Sequence, residues 1–304
     1  PKKSAGRGAK ATAAAAAGAK DEEAAKYAKL SHHDHILTRP DTYVGTRQER
    51  KDKMFLLTED RKKFEERPIK YCPALYKIFD EILVNAADHM QRDKTCDELR
   101  VEIDAKEERI SVENNGSGIP VQMHQTEKMY IPEMVFGNLL AGDNFNDEKQ
   151  RITGGRNGYG AKLTNIFSKK FVLETVCVRH GKRYKQEWRD NMKTKGEPEI
   201  EAIDPLTARS FTKITFFPDW KYFPQDGFTD DTVALFRKRV YDIAGSTDNR
   251  AKVFLDGSEV PIRSFEDFVK MHIPDPVEEG LGAGTVVVQP AGSASAAAVV
   301  GASS

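Results

Sequence analysis

The apolar positions follow two different periods along the chain. From Pro73 onward, Leu75, Ile78, Phe79, Ile82, Leu83 and Ala86 recur every three or four residues, which predicts one long helix with a broad apolar face. Proline stands in its first turn, where the missing N–H costs little. Two alternating stretches follow, LRVEID (99–104) and RISVEN (109–114), joined by a polar turn, and they predict a hairpin. Helical spacing returns in EMVFGNLL (133–140) and near 160–168, on either side of a glycine- and Asn/Asp-rich stretch at 141–160. Further on, KFVLETVCV, YKQEW and FTKITFF read as strands, 231–243 as an amphipathic helix and 251–262 as a final hairpin. Strands interleaved with helices through short connections predict an α+β layer fold, a sheet with helices on one face.

The ends of the chain have a different composition. Residues 1–20 carry Lys2, Lys3, Arg7, Lys10 and Lys20 with no acid, and Gly280 to Ser304 carry no charge at all. This divides the chain into a disordered basic Ala/Gly-rich tail (1–26), a folded body (27–272) and a low-complexity linker or divergent, truncated start of a further domain (273–304). The net charge is zero, from 47 basic and 47 acidic residues, so the +5 of residues 1–20 leaves residues 21–304 with 42 basic and 47 acidic residues, a balance of −5. A basic tail either touches nucleic acid or solubilises the chain. The 39% hydrophobic content excludes a wholly disordered chain, and no run approaches the roughly 18 apolar residues of a membrane span. Cys72, Cys96 and Cys177 are too few and too far apart for a disulfide framework or a zinc knuckle.

Three segments carry candidate chemistry. On the long helix, Glu81, Asn85 and Asp88 stand at i, i+4 and i+7, within about 60° of one another around the axis. A solvated face explains such a stripe; so does a ligand, with an acid orienting water and an amide oxygen meeting a hard cation one turn away. The hairpin's second strand runs into Asn114-Asn115-Gly116-Ser117-Gly118-Ile119-Pro120, either an ordinary turn or a close backbone approach to a ligand. The third, Thr153-Gly154-Gly155-Arg156-Asn157-Gly158-Tyr159-Gly160-Ala161-Lys162, exposes backbone N–H groups and opens a helix, the make-up of a phosphate cradle. It is not a Walker loop, because Ala-Lys-Leu follows Gly160 where Gly-Lys-Ser/Thr is needed. The glycine spacing does not fit a Rossmann turn either, and the H-R-D and D-F-G segments of a protein kinase are absent from the sequence.

The order of these segments resembles the GHKL ATPase superfamily. In finer detail HILTRPDTYVGT (35–46), DEILVNAAD (80–88), NNGSGIP (114–120), PEMVFGNLLAGDNFNDEK (132–149) and GGRNGYGAKLTNIFS (154–168) resemble the N-terminal ATPase domain of eukaryotic DNA topoisomerase II. The resemblance spans about 27–272 and implies a Bergerat-type two-layer sandwich, with a mixed sheet covered on one face by helices. It implies ATP and Mg²⁺ as cofactors, with Glu81 as general base and Asn85 as the Mg²⁺ ligand. Asn114 stands where the superfamily usually has an aspartate facing the adenine amino group, and a neutral amide oxygen can accept that hydrogen bond. Gly142, Asp143 and Asn144 fall in the ribose and phosphate segment. Gly155, Arg156, Asn157, Gly158, Tyr159, Gly160, Ala161 and Lys162 wrap the triphosphate, Lys162 serving catalysis as well. Departures from the family pattern are His89 for Asn, Ser117 for Lys or Arg, and Gly142-Asp143 for Ser-Ser.

By the same resemblance, His32, His33 and His35 belong to an N-terminal arm rather than a metal site, and Tyr27 is the candidate to reach a partner subunit's nucleotide. The implied activity is that of an ATP-driven gate, closing as a homodimer to pass one DNA duplex through another in the nucleus, with no membrane partner. The strand-cleavage region is not recognisable here, which reads as a fragment, a truncated product or a paralogue. The rival reading is a nucleotide-dependent dimerisation clamp without turnover.

Overall fold

The computed structural model describes residues 30–139, 158–247 and 250–273. The tail, Tyr27 and the segment from 274 onward lie outside the described residues. Ser31 closes the start of α1 (His32–Thr38), its hydroxyl accepting the Asp34 N–H at 3.0 Å, one of the donors a helix start leaves over. After Pro40 a single turn, α2 (Asp41–Val44), buries Val44. β1 (Arg50–Leu57) and β2 (Phe64–Tyr71) then pair antiparallel as a separate two-stranded sheet.

The helix predicted from periodicity is α3 (Pro73–Arg92), and its apolar stripe is buried throughout. The predicted hairpin is β3 (Glu98–Asp104) with β4 (Arg109–Asn115), paired from Leu99↔Asn114 to Asp104↔Arg109. α4 (Ile131–Gly137) and α5 (Gly160–Ile166) follow, and residues 140–157 between them are not described. Next come β5 (Ser168–Cys177), β6 (Lys182–Arg189), two short strands β7 (Thr194–Lys195) and β8 (Glu199–Ala202), and β9 (Phe211–Pro218). The described chain closes with α6 (Asp230–Ser246), β10 (Lys252–Leu255), β11 (Ser258–Glu259) and α7 (Phe265–Lys270).

The main sheet runs β11-β10-β3-β4-β9-β5-β6-β7, with β8 also on β6. Its neighbours are antiparallel except β10 and β3, which are parallel. The hairpin expected near 251–262 is present, turning at Asp256-Gly257, but β10 also extends the sheet beside β3. A parallel neighbour requires a crossover, and α6 supplies it by carrying the chain back across the sheet. The mixed sheet of the expected fold arises from this one pairing.

Alternation along the strands sets the two faces. Leu99, Val101 and Ile103 on β3 oppose Asn114, Val112 and Ile110 on β4, and the same face continues through Ile214 and Phe216 on β9 and Phe171 and Leu173 on β5. All of these are buried, as the helices pack against this face. Within the helical layer Phe79 of α3 stacks on Phe236 of α6, with ring centroids 4.3 Å apart. The opposite face carries cross-strand ion pairs, Arg183–Glu174 at 3.0 Å and Lys170–Glu187 at 2.7 Å, the polar alternation expected of a wetter face. Among the described residues, no helix is long and apolar enough to cross a membrane.

Candidate functional site

The stripe on α3 divides in the folded chain. Glu81 and Asn85 are half-buried one turn apart, while Asp88 turns inward and is buried. The start of α5 lies directly against Glu81: a Cβ at Gly160 would overlap the carboxylate Oε2. Any side chain at that point would have to push the Glu81 carboxylate aside. The two helices are tied close by, where the Thr164 hydroxyl donates to the Ile78 carbonyl at 2.7 Å. The other oxygen of Glu81, Oε1, forms an ion pair with Lys77 Nζ at 2.5 Å. A carboxylate held between Lys77 and a glycine has few orientations left to it.

Lys162, one turn into α5, is buried, and its Nζ donates to the Gly158 carbonyl at 2.6 Å. It thus spans the bend through which the glycine-rich segment enters the helix. Tyr159 at that bend meets the His32 ring edge-on at 5.5 Å and Tyr43 at 6.3 Å, so the N-terminal helix packs on the exit of the loop. The three histidines point to different partners: His35 Nδ1 is 3.0 Å from the Tyr43 hydroxyl, and His33 Nε2 is 2.5 Å from the Asn191 carbonyl. Tyr27, Gly142, Asp143, Asn144, Gly155, Arg156 and Asn157 lie outside the described residues.

The two adjacent asparagines have separate roles. Asn115 is structural: its Oδ1 accepts the Asp97 and Glu98 N–H groups at 2.9 Å each, and its Nδ2 donates to Asp97 at 2.6 Å. Asn114 is buried on the helix-covered face, its Nδ2 donating to the Asn115 carbonyl at 2.8 Å and contacting Cys96 Sγ at 3.8 Å. Burial pushes the Cys96 thiol up to about 11, against a weaker opposing pull from Asn114, so it stays protonated.

Beyond Asn114 the chain turns through Gly118 at φ +68°, where a Cβ would overlap the Val176 carbonyl oxygen. Ile119 N–H then donates to Thr175 Oγ1 at 3.1 Å, and Thr175 donates to the Phe211 carbonyl at 2.8 Å and meets Thr212 Oγ1 at 3.2 Å. Asn114, Thr212 and Thr175 are cross-strand neighbours over β4, β9 and β5, a polar row on an otherwise apolar face. Reading the sequence missed both threonines, although each is a polar residue in the inward phase of an alternating strand.

Asp93 at the end of α3 anchors this turn from below. It accepts the Ser117 N–H at 2.7 Å and the Thr95 N–H and hydroxyl at 2.9 and 2.7 Å, with His89 Nε2 3.4 Å away. Burial alone would raise its carboxyl, but the Thr95 and Ser117 hydrogen bonds outweigh that and hold it well below the usual range. A depressed carboxylate stabilises the fold above its unfolded value of about 4 and loses that contribution as pH falls toward its folded value. Asp93→Asn should therefore lower stability at neutral pH and flatten its acid dependence below about pH 4 in urea titrations. A variant with the same acid slope as the wild type would contradict this.

The site's chemistry is thus a half-buried carboxylate facing a glycine-opened helix, an amide one turn away, and a polar row covered by a glycine turn. Residues 72–195 match the family model described as histidine kinase-, DNA gyrase B-, and HSP90-like ATPase. The chain is 47% identical over 247 residues to a DNA topoisomerase 2 of Penicillium chrysogenum and 48% identical over 259 residues to one of Arabidopsis thaliana. These matches cover 81% and 85% of the chain but only 15% and 17% of the relatives, so the chain spans about a sixth of their length. Among solved structures, the ATPase region of Saccharomyces cerevisiae topoisomerase II superposes with a TM-score of 0.79 at 43% identity, over 82% of this chain and 65% of that one.

Proposed function

From the premise that the chain belongs to the histidine kinase-, DNA gyrase B- and HSP90-like ATPases, as an ATPase domain of the eukaryotic topoisomerase II type, we propose that residues 27–272 bind and hydrolyse Mg·ATP. The observation that carries this reading is the Glu81 carboxylate set against Gly160, where the glycine-rich segment opens α5. In this reading Glu81 takes the proton of the attacking water, and Lys77 and Gly160 restrict where its carboxylate points. Asn114, backed by Thr212 and Thr175, meets the adenine. Gly142, Asp143 and Asn144 meet ribose and phosphate, and Gly155 to Lys162 surround the phosphates.

Among the described residues, no three His, Cys, Asp or Glu side chains converge as a metal cage. A single amide oxygen is the kind of protein ligand Mg²⁺ accepts when phosphates and waters complete its shell, so Asn85 fits the role. The ion would neutralise phosphate charge during transfer.

The wider role proposed is that of a gate closing as a homodimer on ATP, with Tyr27 reaching the partner's nucleotide, to drive passage of one DNA duplex through another in the nucleus. A non-hydrolysable ATP analogue with Mg²⁺ should raise the melting temperature of the chain, because a ligand specific to the native state stabilises it. No shift at millimolar analogue would overturn the nucleotide assignment.

A further inference from the structure

A cavity of about 490 Å³ lies where β1 and β2 meet α3 and α6. Its volume is in the range of ligand pockets. Met54, Phe55, Tyr76 and Leu235 form apolar walls, and Lys77 of α3 and Lys238 of α6 are the two lysines that also line it. No Asp or Glu is among its lining residues. The apolar surface is not fully covered: Phe55 remains 43% exposed. Each lysine has one carboxylate partner four residues along its own helix, Lys77 with Glu81 at 2.5 Å and Lys238 with Asp242 at 2.8 Å. An ammonium has three donors, so each can bind an anion as well.

We propose that this cavity is a second ligand site, for a small planar aromatic acid. The ring lies against Phe55, Tyr76 and Leu235, and the acid group takes N–H bonds from Lys77 and Lys238. Lys77 gives the site a consequence. Its ammonium is the partner of Glu81, so an anion in the cavity competes for the cation that orients that carboxylate. Binding stands independently of the ATPase reading; the functional meaning of the coupling rests on it.

The test uses the full chain with ¹³C-methyl methionine, leucine and valine, titrated with 2-naphthoate. The Met54, Leu235 and Val44 methyl signals should shift together in one saturable transition. Lys77→Met, which keeps an apolar stem but removes the ammonium, should weaken binding by about tenfold, the scale of losing a charge-assisted hydrogen bond. Leu235→Trp and, independently, Met54→Trp fill the cavity and should abolish the shifts while the remaining methyl spectrum keeps its folded dispersion. Shifts scattered over the surface, or shifts surviving in both filled variants, would overturn the site. The coupling is read without ATP, from the ¹³C-carboxyl signal of Glu81. It should move on saturation with 2-naphthoate in the wild type and stay fixed in Leu235→Trp. A Glu81 signal indifferent to bound naphthoate would overturn the coupling, whatever the ATPase activity proves to be.

Discussion

Glu81→Gln lowers single-turnover ATP hydrolysis by about 10² or more, the scale of losing a positioned general base, while nucleotide affinity holds. Glutamine preserves the size and polarity of the side chain, so the contact with Gly160 and the packing of α3 on α5 survive. The substitution removes the ability to take a proton and, with the charge, the ion pair to Lys77. Because the change falls on the transition state rather than on the bound ground state, the rate falls and the dissociation constant does not follow. Assays need protein concentrated enough to dimerise, since the proposed closed state is a dimer. Equal rates for wild type and Glu81→Gln would remove the base from the mechanism and favour a nucleotide-dependent clamp without turnover. A variant that accumulates as a nucleotide-bound dimer would support the gate.

Gly118→Ala destabilises the fold by about 2–4 kcal/mol, combining a strained left-handed residue with overpacking against backbone. The added carbon meets the Val176 carbonyl, which belongs to β5 and is fixed by that strand's pairing with β6 and β9. It cannot swing aside as a side chain would. At this chain length the loss corresponds to a melting temperature lower by about 5–15 °C. Gly257→Ala is the control: Gly257 has a similar φ of +82°, but nothing lies within 4 Å of its Cβ position. It should cost only about 1 kcal/mol of backbone strain. Similar losses in the two variants would mean that the turn over Thr175 is not the constrained element described.

The parts of the fold legible in the sequence were those whose burial is one-sided and local. The α3 stripe and the β3–β4 hairpin each bury one periodic face, so their pattern survives in the residue order. The β1–β2 hairpin does not: only Leu56 of β1 is buried, and Pro68 sits inside β2. Its core, Leu56 and Ile69 against Leu235, is shared with a helix far along the chain, which no local window contains. The parallel placement of β10 beside β3 depends likewise on the α6 crossover.

The site shows the same division. Glu81 and Asn85 were readable because a single helix spaces them. Their neighbour Asp88 shares that spacing yet turns inward, since helical angle alone does not say where the core begins. Thr175 and Thr212 meet Asn114 only through sheet register, and the distinct roles of Asn114 and Asn115 depend on which face each occupies. The contact between Gly160 and Glu81 joins residues some eighty positions apart. The glycine was visible in the sequence; what it makes room for was not.

The most direct measurement is a calorimetric titration of the chain with a non-hydrolysable ATP analogue, with and without Mg²⁺, repeated on Asn85→Ala. One site per chain is expected, with Mg²⁺ tightening binding to the wild type by about tenfold or more through the Asn85 amide oxygen and the phosphates, and much less in Asn85→Ala. No saturable heat at millimolar analogue, or the same Mg²⁺ dependence in both proteins, would contradict the assignment of this site to Mg·ATP.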